Sequence, residues 1–403
     1  MNASNNADIV SYEVLVIGGG SGGLTVAAQL RNREDAPQVA IIEPSDKHYY
    51  QPLWTLVGGG IVSKEESERN EADFIPPGVT WIRERVATID PEAHTVTTET
   101  GVTIRYEQLV VAAGIQIDWG KIPGLLETVG KPGSGVVSNY SFDTVDSTWA
   151  AIRNFTGGNA IFTDPKTAVK CGGAPQKIMY LAEESFRRQG VREKANVVFM
   201  NAKPTNFTAP SYGVTLRRIC EERGIQINLE HDLVEIRPDS KEAVFRKPDG
   251  SELVMKYDLL HVTPPQSAPD FLKRSPLANA DGWVEVDKHT LAHVRYPDVF
   301  ALGDNSSLPT SKTGAAIRGQ APVLVENLMA RRAERVPAAS YDGYTACPVV
   351  TGYGKLLMCE FDYSKNPKES FPFDQNQERY SMYALKVCAL PRMYWHGMLR
   401  GRL

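Results

Sequence analysis

The sequence predicts an α/β chain made of two doubly wound parallel sheets, the second inserted into the first, with an amphipathic region at the C-terminus. Three observations predict it. Residues 13–43 read strand, glycine turn, helix, strand. Residues 157–200 repeat that order without the G-x-G-x-x-G spacing. A short apolar strand ahead of Gly303-Asp304 then completes the first unit. The expected divisions are 1–149 and 285–340 for the first unit, 150–284 for the second, and 341–403 for the C-terminal region.

The opening stretch is EVLVIGGGSGGLTVAAQLRNREDAPQVAIIE, from Glu13 to Glu43. Val14 to Ile17 read as a buried strand, Leu24 to Arg31 as a helix and Val39 to Ile42 as a second strand. Gly18, Gly20 and Gly23 have the G-x-G-x-x-G spacing: one for the tight turn, one for close approach of a pyrophosphate, one for helix–strand packing. The N-terminus of that helix offers free N–H groups and a positive dipole end to phosphate. Glu43, twenty residues after Gly23, is placed to accept from ribose hydroxyls. The context makes this a dinucleotide site of Rossmann-like type.

Aromatic-rich residues 48–56 follow, with Gln51 as a polar contact beside the cofactor. Trp81 to Ile89 alternates like one strand, and Val86 in it is a candidate to meet an adenine edge through its backbone. Val96 to Thr103 and Ile104 to Val111 read as a hairpin about Gly101, closing on Gly114. In the second unit, Asn159 to Phe162 is strand-like and Ile178 to Arg188 has helical periodicity. Pro165 and Lys166 occupy the turn where another dinucleotide would need glycines, which argues against NAD(P)H. Ala243 to Tyr257 is a hairpin about Asp249-Gly250.

Val299 to Leu302 ends in Gly303-Asp304, where an Asp in flavoproteins of this fold meets the ribityl hydroxyls of FAD. The helix expected over Thr313 to Leu328 points its positive end at the flavin pyrimidine. FAD is therefore the expected dinucleotide, and Lys312 a candidate cation beside its ring.

Composition narrows the remaining classes. Of 403 residues, 42% are hydrophobic and 23% charged, an ordinary globular balance. A net charge of −4 provides no basic field for nucleic acid. The five cysteines contain no C-x-x-C, which excludes a zinc ribbon or thioredoxin-type motif. Cys171 and Cys347 stand in turn-like stretches that suggest exposed loops, while Cys220, Cys359 and Cys388 sit in apolar patterns that suggest burial. Lys170 and a following helix favour a Cys171 thiolate. Spacing alone does not settle whether Cys171 pairs with Cys347.

No apolar run is long enough to span a bilayer. After Glu378 the chain has no acid and carries Arg379, Lys386, Arg392, Arg400 and Arg402, with Tyr380, Tyr383, Tyr394 and Trp395 among apolar residues. This predicts short helices, divided at Pro391, lying in a lipid interface. A helix docked on the core, or a homodimer contact, is the competing reading.

The segments GGGSGG, VKCGGAPQKIMYL, LPTSKTGAA, YDGYTACPVVTGYGK, FPFDQNQERYSMY and MYWHGMLRG together resemble the sulfide:quinone oxidoreductases of mitochondrial type, over nearly the whole chain. The resemblance implies a flavoprotein related to the disulfide reductases, with FAD bound, monotopic membrane attachment and electron delivery to ubiquinone or a similar quinone. Cys171 and Cys347 match the redox cysteines, implying a disulfide or a sulfur-bridged form of it. Sulfide would leave a persulfide on Cys347 and expel Cys171 as thiolate, and a thiol, sulfite or other acceptor would take the outer sulfur. The matching FAD contacts are Gly18, Gly20, Ser21, Gly22, Gly23, Glu43, Gln51, Val86, Gly114, Asp304 and Lys312. Because MNASNNADIV lacks a basic presequence, a bacterial inner membrane is the expected location. The alternative, a type II NADH:quinone oxidoreductase, needs the second glycine fingerprint that the Asp164 to Lys166 turn lacks.

Overall fold

The computed structural model describes residues 10–403. Strand β1 (Val10–Ile17) lies at the centre of the first sheet, between parallel neighbours β2 (Val39–Ile42) and β3 (Thr103–Val111). Helix α1 (Ser21–Arg31) is the crossover from β1 to β2. Val14, Leu15 and Val16 are wholly buried, as expected of a parallel strand covered on both faces. The stretch from Trp81 to Ile89 is not one strand. Thr80–Ile82 pairs parallel with β2, whereas Val86–Asp90 pairs antiparallel with Thr95–Thr98. The three consecutive charges Arg83, Glu84 and Arg85 separate them, leaving no apolar side chain to hold either sheet face. Thr95–Thr98 and β3 form the hairpin expected about Gly101.

The second sheet is all parallel. Its order is Val136–Val137, Leu259–His261, β4 (Gly158–Asp164), β5 (Ala195–Asn201), Gln226–Leu229, and helix α2 (Ala174–Arg188) joins β4 to β5. This corrects the expected divisions. The sheet takes a strand from ahead of residue 150, and Leu272, Leu277 and Val284 pack in the core of the first unit. The crossings lie where Gln116–Ile117 pairs with Gln266–Ser267. Single strands so short carry no periodicity, so sequence placed the boundaries too late. The turn after β4 holds an ion pair, Asp164 to Lys203 at 2.6 Å, where a glycine turn would cradle phosphate.

The chain returns as β6 (Val299–Ala301), parallel to β3, and α3 (Gly314–Arg332). The antiparallel hairpin β7 (Thr345–Gly352) and β8 (Lys355–Phe361) then packs against α2. The tail is one helical run: an α-turn (Tyr380–Ala384), a π-turn (Leu385–Ala389) and α4 (Leu390–His396). Pro391 does not divide it, because Pro391 falls in the first turn of α4 and the wide π-turn before it absorbs the missing N–H. Met382, Tyr394, Trp395, Met398 and Leu399 are buried in the first core. Burying each such side chain contributes about 1.5–3 kcal/mol, so the tail is docked on the core along this face. No described helix is long and apolar enough to cross a membrane.

Candidate functional site

One cavity of about 610 Å³ runs from the glycine turn to Cys171 and on to the tail. At its first end β1 stops at Ile17 and Gly18 takes φ +100°, and a Cβ there would meet the Ala112 carbonyl oxygen at 2.5 Å. A Cβ on Gly23 would sit 1.8 Å from the Gly18 carbonyl oxygen, so helix and turn pack in direct backbone contact. Gly20 has open space on its cavity side, and no side chain caps the α1 N-terminus. The free N–H groups of that first turn suit an anion. Glu43 accepts from the Gly19 N–H at 2.8 Å and the Ser45 N–H at 2.7 Å, so it braces the turn as well as facing the cavity.

Of the residues expected to hold the cofactor, Gly18, Gly20, Ser21, Gly22, Glu43, Gln51, Gly114, Asp304 and Lys312 border this cavity. Gly23 and Val86 do not. Gly23 acts through packing, and Val86 is buried opposite Thr98 at the start of its strand.

Past the turn, Asp304 lies in a short 3-10 turn after β6, and burial raises its carboxyl above the ordinary range. Lys312 donates to the Asp304 carbonyl at 2.6 Å and the Ser306 carbonyl at 3.2 Å, with its ammonium 3.9 Å from the Trp283 ring centroid. Burial lowers it to about 8. Thr313 caps α3, accepting from the Ala316 N–H, and the start of that helix borders the cavity. These groups fit a flavin dinucleotide: an open glycine cradle, an acid beyond it, and a cation with a helix N-terminus at the far end.

The sulfur pair closes that far end. Cys171 stands just before α2 with φ 54°, its N–H donating to the Lys312 carbonyl at 2.8 Å. Its Sγ is 2.8 Å from the Sγ of Cys347, a residue of β7. Lys177 Nζ donates to the Cys171 sulfur at 3.1 Å. The hydrogen bond from Cys347 and the Lys177 ammonium hold the Cys171 thiol well below its usual range, while that same bond and burial push Cys347 well above its own. Burial works against the Lys177 charge, but the two sulfurs outweigh it and keep the ammonium protonated.

Four expectations are corrected here. The cation at Cys171 is Lys177, because Lys170 turns to Gln51 and donates to its Oε1 at 2.7 Å. Cys347 is buried within a strand rather than exposed in a loop, and Cys388 is exposed rather than buried. Lys386, counted among the tail cations facing lipid, is buried and donates to the Pro52 carbonyl at 3.0 Å. Burial and Lys177 lower it to about 7. Sequence reasoning missed Lys177, and also the buried group of His48, Glu71 and Tyr394 beside the glycine turn. The one signal for Lys177 was its place in the first turns of a helix that starts right after Cys171.

The chain matches the pyridine nucleotide-disulphide oxidoreductase family over residues 12–343. It is 50% identical over 392 residues to a Mus musculus protein named sulfide:quinone oxidoreductase, mitochondrial, covering 97% of this chain and 87% of that one. It is 48% identical to the Dictyostelium discoideum protein of the same name, covering 97% and 86%. The solved sulfide:quinone oxidoreductase of Aquifex aeolicus superposes with a TM-score of 0.82 at 20% identity, over 97% of this chain and 92% of that one, a likeness of fold. The bacterial-membrane expectation rested on the first residues of the chain, and residues 1–9 are outside the described residues; the relatives from mouse and Dictyostelium are named as mitochondrial and lend it no support.

Proposed function

The chain belongs to the sulfide:quinone oxidoreductases, within the pyridine nucleotide-disulphide oxidoreductase family, and from that premise we propose that it oxidises sulfide at Cys171 and Cys347. Two electrons then pass through FAD to a membrane quinone, and the sulfur passes to a thiol, sulfite or similar acceptor. The observation that carries the reading is the 2.8 Å approach of two sulfurs from distant parts of the chain, at the end of a cavity that starts at the glycine turn.

In the oxidised pair, HS⁻ attacks Cys347 Sγ. The S–S bond breaks, Cys347 keeps a persulfide (Cys347–S–SH), and Cys171 leaves as thiolate. A stabilised leaving thiolate speeds this exchange, and Lys177 supplies the stabilisation. An acceptor thiolate RS⁻ then takes the outer sulfur as R–S–SH and returns Cys347 as thiolate. FAD supplies two-electron oxidation of the reduced pair and delivery of those electrons one step onward. Gly18, Gly20, Ser21 and Gly22 would hold its phosphates, Glu43 its adenosine ribose, and Asp304 its ribityl chain. Lys177, kept protonated beside the Cys171 sulfur, favours HS⁻ over H₂S at that end of the cavity. Leu385, Leu390 and Met393 of the tail give it an apolar mouth suited to a quinone, and the exposed face of the tail suits a lipid surface.

Anaerobic mixing tests this. Sodium sulfide should bleach the flavin band of the wild-type protein, NADH should not, and Cys347→Ser should keep its flavin while losing the sulfide response. Bleaching by NADH alone would favour the type II NADH:quinone oxidoreductase reading and overturn this one.

A further inference from the structure

Four side chains that take no part in the sulfur chemistry form a chain of hydrogen bonds around the glycine turn. Ser21, the first residue of α1, shares a bond of 2.7 Å with Tyr394 of α4. The Tyr394 hydroxyl is also 2.5 Å from His48 Nε2, and His48 Nδ1 is 2.9 Å from Glu71 Oε2. The other Glu71 oxygen has no hydrogen-bond partner and lies against Gly19, where a Cβ would come within 2.4 Å of it. His48, Glu71 and Tyr394 are 4%, 1% and 5% exposed, and all four residues border the cavity. Tyr50 stacks 4.3 Å from Tyr394, and Phe74 packs 4.9 Å from Trp395, closing an aromatic box over the group.

The direction of these bonds depends on the number of protons. A hydroxyl has one proton to give, and a neutral imidazole donates from one nitrogen. With a single proton on the Glu71–His48 pair, Nδ1–H serves the carboxylate and Nε2 accepts from Tyr394. The Tyr394 oxygen then accepts from Ser21, which shows the cavity only lone pairs. With one more proton on the pair the order reverses: Nε2–H donates to Tyr394, Tyr394 donates to Ser21, and the Ser21 O–H is free to donate into the cavity. A phosphate oxygen accepts from the second state and is repelled by the first.

We propose that Glu71 keeps this extra proton while the dinucleotide is bound, and through His48 and Tyr394 makes Ser21 a donor to its phosphate oxygens. The inference rests on the dinucleotide reading above. It makes Tyr394, on the C-terminal helix, a positioning residue for the cofactor. Burial raises the Glu71 carboxyl above the usual range, opposed by its bond to His48. Among the charges that face the pair, Glu43 at the end of β2 favours the proton. Arg69 over the Trp395 ring and Arg400 over the Phe74 ring oppose it, as does Lys177 beyond Tyr50.

The test is flavin release from the holoenzyme, followed by the fluorescence of freed flavin from mildly acid to mildly alkaline pH. Release from the wild type should accelerate by about tenfold or more as pH rises and the proton is lost, the scale of one hydrogen bond to a charged group. Glu71→Gln has no carboxyl proton to lose and an amide N–H able to donate to Nδ1, so its release should stay slow and flat with pH. Tyr394→Phe keeps the ring stacking and should release fast at every pH. A wild-type rate that does not change with pH, or a Glu71→Gln rate as steep as wild type, would overturn the proposal. Should Tyr394→Phe fail to fold, the wild type and Glu71→Gln still decide. A purified protein with no flavin band would instead strike at the dinucleotide reading itself.

Discussion

Replacing Lys177 with Gln removes the ammonium that stands 3.1 Å from the Cys171 sulfur while nearly keeping the side-chain volume. Two unit charges at that separation attract by roughly 5 kcal/mol at an effective dielectric near 20. Part of this is offset by the cost of burying the ammonium, and the net worth of a hydrogen bond to a charged group is about 1.5–3 kcal/mol. At about 1.4 kcal/mol per tenfold, the thiolate share of Cys171 at a given sub-saturating pH should fall by roughly ten- to a hundredfold. The assay is the rate of alkylation of Cys171 in the dithiol enzyme across pH, read by peptide mass spectrometry, beside kcat for sulfide oxidation. The alkylation profile should move to higher pH and kcat should fall with it. Lys177→Arg should recover part of both. An unmoved alkylation profile in Lys177→Gln would refute the assignment of Lys177 as the stabilising cation and return the role to Lys170 or Lys386.

Gly23→Ala should abolish flavin binding, since its Cβ would overlap the Gly18 carbonyl oxygen and force α1 away from the turn; flavin content after purification measures it. Arg392→Glu on the exposed face of α4, combined with Tyr380→Asp, should weaken co-sedimentation with anionic lipid vesicles by tenfold or so, at about 1 kcal/mol per basic charge near the surface, with flavin content unchanged. Stability of the dithiol enzyme should follow both thiols. Cys171 is depressed in the fold, so its contribution is present above the ordinary thiol range and is lost as pH falls toward its folded value. Cys347 is raised, so its contribution is present below that range and is lost as pH rises through its folded value. Thermal unfolding should therefore be latest near the ordinary thiol range, and a Cys171→Ala variant should lose the acid-side slope.

The glycine turn and its βαβ unit were legible because their evidence is local. Turn, helix and acid lie within residues 13–43, and the glycine spacing is itself a steric statement that the Gly18 and Gly23 contacts bear out. The cation at Cys171 was misread because adjacency in sequence is a poor guide at a helix start. Side chains in the first turns of a helix lean back toward its N-terminus, which brings Lys177 to the sulfur while Lys170 faces Gln51. The tail was half legible. Tyr and Trp serve a lipid interface and an aromatic core equally well, and what decides is Tyr50 and Phe74, far away in sequence. Lys386 shows the same limit: its burial follows from the Pro52 carbonyl, which no periodicity announces. The domain crossings were missed because strands of two residues leave no pattern.

The sulfurs of Cys171 and Cys347 meet in one core yet lie 176 positions apart along the chain. A covalent link between them would close a loop of that size, and by chain entropy alone such a staple is worth roughly 5 kcal/mol. Each catalytic cycle that opens and remakes the link would then loosen and re-tighten the molecule. The resting, oxidised form should outlast the reduced one under heat or protease, and starvation for electron acceptor should shorten the protein's lifetime.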